Sequence, residues 1–133
     1  MRQLDEHVSV AGQIAPEEIA GLGVAMIVNN RPDGEEPGQP SSEALKAAAE
    51  AAGVDYRHIP VSGGMSLPQV AQMADALAAA DGPVLAFCRS GTRSTFLWAL
   101  ARARLGDDAE ELAAKAAAAG YDLAPIRAYL AQG

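Results

Sequence analysis

The residues best suited to chemistry in this sequence lie between Cys88 and Ser94. Cys88 is the only cysteine in the chain, and it follows an apolar run at residues 83–87 that predicts a strand buried on both faces. Gly91 stands in the short polar stretch that comes next, and a helical pattern begins at Ser94. A strand, a tight loop and a helix N-terminus together present backbone N–H groups and a positive dipole end to an anion. We therefore predict that Cys88 is a thiolate nucleophile at the mouth of an anion-binding loop.

Two arginines in this loop have separate predicted roles. Arg93 can reach back toward Cys88 and hold an oxyanion with its planar guanidinium group, whereas Arg89 is expected to attract anions to the site. A single cysteine at the end of a strand is often only a small core residue, and arginines at a helix start are often solvated. Their combination in one strand, loop and helix favours a catalytic loop, whose remaining predicted anion-binding residues are Ser90, Gly91, Thr92 and Ser94.

The composition limits the class of protein. With 133 residues, half of them hydrophobic, the chain predicts a single domain over residues 1–133 with its own core. The net charge of −7 argues against a nucleic-acid partner. One cysteine and two histidines offer no disulfide and no metal-ligand spacing, so we expect no metal and no cofactor. There is no apolar leader or membrane-length apolar run, which predicts a cytoplasmic protein without a membrane partner.

Alternating short apolar runs and helical patterns predict an α/β fold. The expected strands are residues 7–12, 24–28, 54–61 and 83–87, and the expected helices are residues 16–20, 42–52, 66–77, 94–105, 107–119 and 123–130. Ser66 and Gln69 have the spacing of a capping box. This order predicts three layers, in which a mainly parallel sheet of four to five strands has helices on both faces.

The loop at residues 29–40 holds two further candidate site residues. It contains three prolines and two glycines, which exclude a helix or an inner strand, and it is compatible with a simple solvated connector. However, it leaves the carboxyl end of a parallel strand, where open α/β sheets place their sites. Arg31 and Asp33 are therefore candidates for a role in the site.

The loop from Cys88 to Ser94 resembles those of two families. The rhodanese sulfurtransferases have a Cys-x-x-Gly-x-Arg loop, and the tyrosine and dual-specificity phosphatases have Cys, five residues and then Arg. The whole chain resembles a narrower family, the phosphatase-like domain often fused to a metallo-β-lactamase-type hydrolase and also catalogued as a sulfur transferase family. This resemblance includes residues 8–14, 30–37 and 59–61 as well as the Cys88 loop. It implies a protein-tyrosine-phosphatase-like fold, with a rhodanese-like fold as the alternative.

The sequence departs from the phosphatase pattern at three places. The loop is one residue shorter and has Ser94 where a phosphatase has its arginine, and Phe87 stands in place of the usual histidine. No carboxylate follows Val61, where such phosphatases carry an aspartate general acid. A tighter ring without an acid suits sulfane sulfur, because sulfite leaves thiosulfate without a proton. We therefore predict a sulfurtransferase that moves sulfur from thiosulfate or a persulfide through a persulfide on Cys88, with Arg93 as the second catalytic residue.

Two alternatives remain open. The first is a phosphatase that acts through a cysteinyl-phosphate, with Asp33 as the source of the proton. The second is a non-catalytic module that binds an anion or a persulfide and supplies a partner enzyme. The expected partners are a small anionic substrate and a thiol acceptor, and a persulfide dioxygenase of metallo-β-lactamase fold is a candidate protein partner.

Overall fold

The computed structural model describes residues 1–130, so the last three residues of the predicted domain lie outside this range. Five strands form one sheet in the order β1-β2-β5-β3-β4, in which β1 is antiparallel to β2 and the other neighbours are parallel. The predicted, mainly parallel sheet of four to five strands is therefore confirmed. Its strands are β1 Arg2–Gln3, β2 Val8–Ala11, β3 Met26–Asn29, β4 Asp55–His58 and β5 Val84–Phe87.

Helices cover both faces of the sheet, as predicted. Alternate residues of the central strands point to opposite sides: Ile27 and Leu85 pack in a cluster with α1 and the first 3-10 helix, whereas Val28 and Ala86 pack in the cluster that contains the other helices. The architecture is therefore three-layered. The helices are α1 Ser42–Ala51, α2 Leu67–Ala79, α3 Thr92–Arg104, α4 Ala109–Ala118 and α5 Arg127–Leu130, with 3-10 helices at Pro16–Gly21 and Ala124–Ile126.

Several local predictions needed correction. The sequence did not predict β1, which has only two residues and no pattern of its own. The predicted helix at residues 16–20 is a 3-10 helix, and the helix after the Cys88 loop begins at Thr92 rather than at Ser94. The strand predicted at residues 54–61 ends earlier, at His58, because Pro60 cannot donate a ladder hydrogen bond. The capping box of Ser66 and Gln69 is confirmed.

The parallel strands bring four chain segments to one edge of the sheet. Phe87 at the end of β5 pairs with Ala11 of β2 on one side and with Asn29 of β3 on the other. The residues that follow these strands, and those that follow β4, therefore surround Cys88. Within residues 1–130, no helix is both long and apolar enough to cross a membrane.

Candidate functional site

Cys88 lies at the base of a loop of unpaired backbone donors. Its side chain is buried, and its Sγ atom accepts a hydrogen bond of 3.1 Å from the backbone N–H of Gly91. Helix α3 starts one residue later and adds the positive end of its dipole. The other N–H groups of the loop have no protein acceptor within the described part of the chain, and they belong to residues 89, 90, 92, 93 and 94. This arrangement can stabilise a thiolate and bind an anion in front of it.

Gly91 and its neighbours keep the loop tight. Gly91 has a φ of +91°, a conformation that favours glycine, and a Cβ atom there would collide with the hydroxyl of Tyr121. This hydroxyl donates a hydrogen bond of 3.2 Å to the carbonyl of Ser90. The side chain of Thr95 donates to the carbonyl of Gly91 at 2.8 Å. The turn at Gly91 is thus constrained from the side of Tyr121 and from within α3.

Arg93, in the first turn of α3, is held by acceptors outside the Cys88 loop. Its Nη1 and Nη2 atoms each donate to a carboxylate oxygen of Glu35 at 2.8 Å, and Nη1 also donates to the carbonyl of Val61 at 2.8 Å. The hydrogen bonds from Arg93 to Glu35 raise the pKa of Arg93 above its usual value, and the nearby Cys88 adds a smaller contribution. The guanidinium is therefore held in place by protein acceptors and stays charged.

Glu35 is the main site residue that sequence reasoning missed. Its hydrogen bonds from Arg93 and then from Arg31 lower its pKa to about 2, although partial burial opposes this shift. Glu35 is therefore ionised at neutral pH and cannot serve as a general acid. The one signal in the sequence is that adjacent glutamates follow an arginine in a loop that leaves the same edge of the sheet as Cys88, which does not reveal the pairing of Glu35 with Arg93.

Arg31, a candidate site residue from the sequence, is buried and paired with protein side chains. Its side chain is only 1% exposed, and its three nitrogens donate to Glu35, Gln13 and Glu36 at 2.8, 2.9 and 2.9 Å. Burial tends to lower its pKa, but the hydrogen bonds to Glu35 and Glu36 raise it above the usual value. Arg31 is thus a buried ionic anchor for the loop after β3.

Asp33 is engaged at the N-terminus of α1. It is exposed, and its Oδ1 atom accepts the backbone N–H of Ser42 at 2.8 Å. This contact satisfies a free donor at the N-terminus of α1, which is the ordinary use of an aspartate at a helix start. The proposed role of Asp33 as a general acid therefore lacks structural support.

The remaining predicted anion-binding side chains differ in their availability. Arg89 is 67% exposed, and its Nη2 atom lies 3.9 Å from a carboxylate oxygen of Glu36, which suits a role in attracting anions. The hydroxyls of Ser90 and Thr92 lie 3.2 Å apart at the exposed rim of the loop. Both hydroxyls are therefore accessible to an incoming substrate.

Ser94 contributes to the site only through its backbone. The residue is fully buried, and its hydroxyl donates to Oδ1 of Asn30 at 2.8 Å. The amide nitrogen of Asn30 in turn donates to the carbonyl of Ile59 at 3.0 Å. These hydrogen bonds tie the start of α3 to the ends of β3 and β4, so the Ser94 hydroxyl is occupied and the predicted anion-binding role of Ser94 falls to its backbone N–H group. Asn30 was not predicted, because a buried amide leaves no pattern in a sequence.

The described residues contain no cluster of metal-ligating side chains. Among residues 1–130, no group of three or more His, Cys, Asp or Glu side chains is placed to hold a metal ion.

Comparisons with known proteins agree with the geometry. A solved structure from Neisseria meningitidis, described as a candidate phosphatase, is 37% identical, covers 98% of this chain and 96% of its own, and superimposes with a TM-score of 0.82. Tk-PTP in its active form is 18% identical, covers 98% of this chain and 92% of its own, and has a TM-score of 0.77, which indicates a shared fold. The fold is therefore protein-tyrosine-phosphatase-like, the first of the two folds that the resemblance implied.

The sequence relatives define the family. The beta-lactamase hydrolase-like protein of Agrobacterium fabrum is 42% identical over 105 residues, which are 76% of this chain and 24% of the relative. The chain spans about a quarter of the length of the curated relatives that it matches, between 24% and 29%. Residues 1–105 also match the family model described as beta-lactamase hydrolase-like protein, phosphatase-like domain. The chain belongs to this family.

Proposed function

We propose that the chain is a cysteine-dependent phosphatase. The observation that carries this proposal is the set of unpaired loop amides around the Cys88 thiol, with Arg93 fixed beside it. Such a ring of donors fits the oxygens of a phosphoryl group and the charge that builds up on them during transfer. The similarity to the candidate phosphatase of N. meningitidis adds support, because it extends over nearly the whole chain.

The reaction proceeds in two displacements. The Cys88 thiolate attacks phosphorus, an S–P bond forms, and the bond from phosphorus to the leaving oxygen breaks with its electron pair on that oxygen. Loop amides and Arg93 hold the phosphoryl oxygens through this step. Water then attacks the cysteinyl-phosphate, the S–P bond breaks to return the thiolate, and the proton of the water passes to phosphate or solvent.

The substrates are those whose leaving groups need no proton. Glu35 is ionised, with a pKa of about 2, and is occupied by two arginines. Asp33 is bound to the N-terminus of α1. Without an acid, aliphatic alcohols leave poorly. We therefore propose that the enzyme prefers aryl phosphates, acyl phosphates or phosphoanhydrides.

The test compares an aryl phosphate with an alkyl phosphate. We expect the protein to hydrolyse p-nitrophenyl phosphate and to hydrolyse phosphoserine far more slowly. If hydrolysis of the cysteinyl-phosphate is the slow step, a burst of nitrophenolate equal to the enzyme concentration precedes steady turnover. Cys88→Ser removes the nucleophile and should abolish turnover, while Glu43→Gln alters an exposed helix residue and should not. Turnover that survives in Cys88→Ser, when the free energy of unfolding equals that of the unmodified protein, would refute the proposal.

Sulfur transfer is the second candidate, and the loop length favours it. The span from Cys88 to Arg93 is one residue shorter than in phosphatases, and the reaction needs no acid. The thiolate attacks the outer sulfur of thiosulfate, the S–S bond breaks, and sulfite leaves with the electron pair. Cyanide or a thiol acceptor then takes the sulfur and the thiolate returns. A persulfide dioxygenase of metallo-β-lactamase fold is the protein partner proposed for this route.

Mass spectrometry separates the two reactions. Sulfur transfer predicts an adduct of about 32 Da on the intact protein after thiosulfate treatment, removable by cyanide and absent in Cys88→Ser. A protein that never gains this adduct but hydrolyses aryl phosphates follows the first proposal. A protein that gains the adduct, shows no turnover with either substrate and binds phosphate fits the non-catalytic module instead.

A further inference from the structure

An ionic bridge joins the Cys88 loop to the loop that follows β3. Glu35 forms it by accepting hydrogen bonds of 2.8 Å from Nε of Arg31 and from Nη1 and Nη2 of Arg93. We propose that Glu35 is a positioning residue that orients Arg93 so that its guanidinium can bind the anionic group of the substrate. This inference rests on the proposed function only in requiring an anion in front of Cys88, which both candidate reactions share.

The geometry of Arg93 supports this role. A guanidinium carries five N–H donors in a fixed, planar arrangement, and three of those of Arg93 are used: Nη1 donates to Glu35 and Val61, and Nη2 donates to Glu35. The two that remain are the N–H of Nε and the second N–H of Nη2. They lie side by side on one edge of the guanidinium and form the fork that binds two oxygens of an anion. Glu35 occupies the other edge.

Arg31 makes the position of Glu35 rigid. A buried guanidinium must keep its counter-charges, because an unpaired charge in the interior is strongly destabilising. The side chain of Arg31 is 1% exposed and is neutralised by Glu35 and Glu36. Glu35 is thus held from the interior of the protein and can hold Arg93 in turn. Its side chain has little freedom to swing away from either arginine.

A blocking role for Glu35 fits the contacts less well. A carboxylate that competed with substrate would occupy the donors that face the anion site, but Glu35 lies on the end of the guanidinium formed by Nη1 and Nη2. The edge of the guanidinium formed by Nε and Nη2 therefore stays open to an anion while Glu35 is bound.

The test measures anion binding without turnover. Cys88 is alkylated with neutral iodoacetamide at pH 7, with and without inorganic phosphate, and protection by phosphate reports the affinity of the site. In Glu35→Gln we expect phosphate to protect about tenfold to hundredfold more weakly, since a misoriented Arg93 loses a charge-assisted fork. The alkylation rate without phosphate should change little. Glu35→Asp keeps the charge next to Arg31 but is too short to bridge, and should weaken protection to an intermediate degree.

The controls distinguish this inference from the proposed function. Glu43→Gln removes the same charge from the exposed first turn of α1 and should leave phosphate protection unchanged. Equal protection in Glu35→Gln and the unmodified protein would overturn the positioning role, and stronger protection in Glu35→Gln would show that Glu35 competes with the anion. If phosphate protects neither protein, the anion site itself is refuted, and the proposed function fails with it.

Discussion

Gly91→Ala probes the close approach of Tyr121 to the Cys88 loop. At a φ of +91°, any residue with a Cβ atom is strained by about 1–2 kcal/mol. The added methyl would also collide with the Tyr121 hydroxyl, and overpacking of this kind typically costs about 1–3 kcal/mol. We therefore expect Gly91→Ala to lower the free energy of unfolding by about 2–5 kcal/mol.

The two contributions can be separated by a second substitution. Tyr121→Phe removes the hydroxyl but leaves the ring, whose nearest carbon lies 3.1 Å from the position that a methyl group at residue 91 would take. In this background Gly91→Ala should cost about 1–2 kcal/mol less, because the backbone strain remains while the collision is relieved. Urea unfolding followed by the fluorescence of Trp98, the single and fully buried tryptophan, measures all four proteins.

The same loss in both backgrounds would refute this reasoning. It would mean that Tyr121 moves aside without cost and that the close approach does not constrain residue 91. The reactivity of Cys88 provides a second comparison, since the backbone N–H of Gly91 donates a hydrogen bond to the Cys88 sulfur. We expect the rate of Cys88 alkylation to fall in Gly91→Ala and to recover in part when Tyr121→Phe is added.

Three further predictions address the surroundings of the loop. Ser94→Ala leaves the buried Oδ1 of Asn30 without its donor and should lower the free energy of unfolding by about 1–3 kcal/mol; no loss in urea unfolding would contradict this. Gly12→Ala places a methyl 2.9 Å from the carbonyl of Arg89, so the Cys88 loop must shift. Expressed as free energies, the loss in turnover should exceed the loss in the free energy of unfolding. The pKa of Glu35 falls from 4.5 to about 2 on folding, so its contribution to stability is complete above pH 4.5 and is lost as the pH drops toward 2. Screening at this partly exposed side chain limits the loss to about 1–2 kcal/mol, and acid titrations of urea unfolding should show a smaller loss in Glu35→Gln.

The sequence predicted the elements with strong patterns. Short apolar runs with β-branched residues between amphipathic stretches led to the parallel strands, and the abrupt change to polar residues after Phe87 located the Cys88 loop. These features depend on local spacing, which a sequence displays directly. The capping box at Ser66 was readable for the same reason, since its two partners lie three residues apart.

The pairing of side chains in the loop after β3 could not be predicted in this way. Arg31 and Asp33 were chosen because the loop leaves the correct end of the sheet, but their partners depend on how the loop folds back. Asp33 caps α1, and Arg31 turns inward to Gln13, a residue far away in sequence. Glu35 was missed because exposed-looking glutamates in a proline-rich segment resemble a solvated connector. Only the fold brings it to Arg93.

The part of the chain that supports the Cys88 loop extends beyond the part that matches the family model. The family-model match ends at residue 105, but Tyr121 contacts the Ser90 carbonyl from further along the chain. Leu112 and Ala116 of α4 belong to the core beneath α3, and Arg2 donates to the carbonyl of Ala119 at 2.8 Å. A domain boundary drawn at residue 105 would therefore expose an apolar side of α3 and release the turn at the nucleophile. Any excised or fused version of this domain should retain the chain through α5.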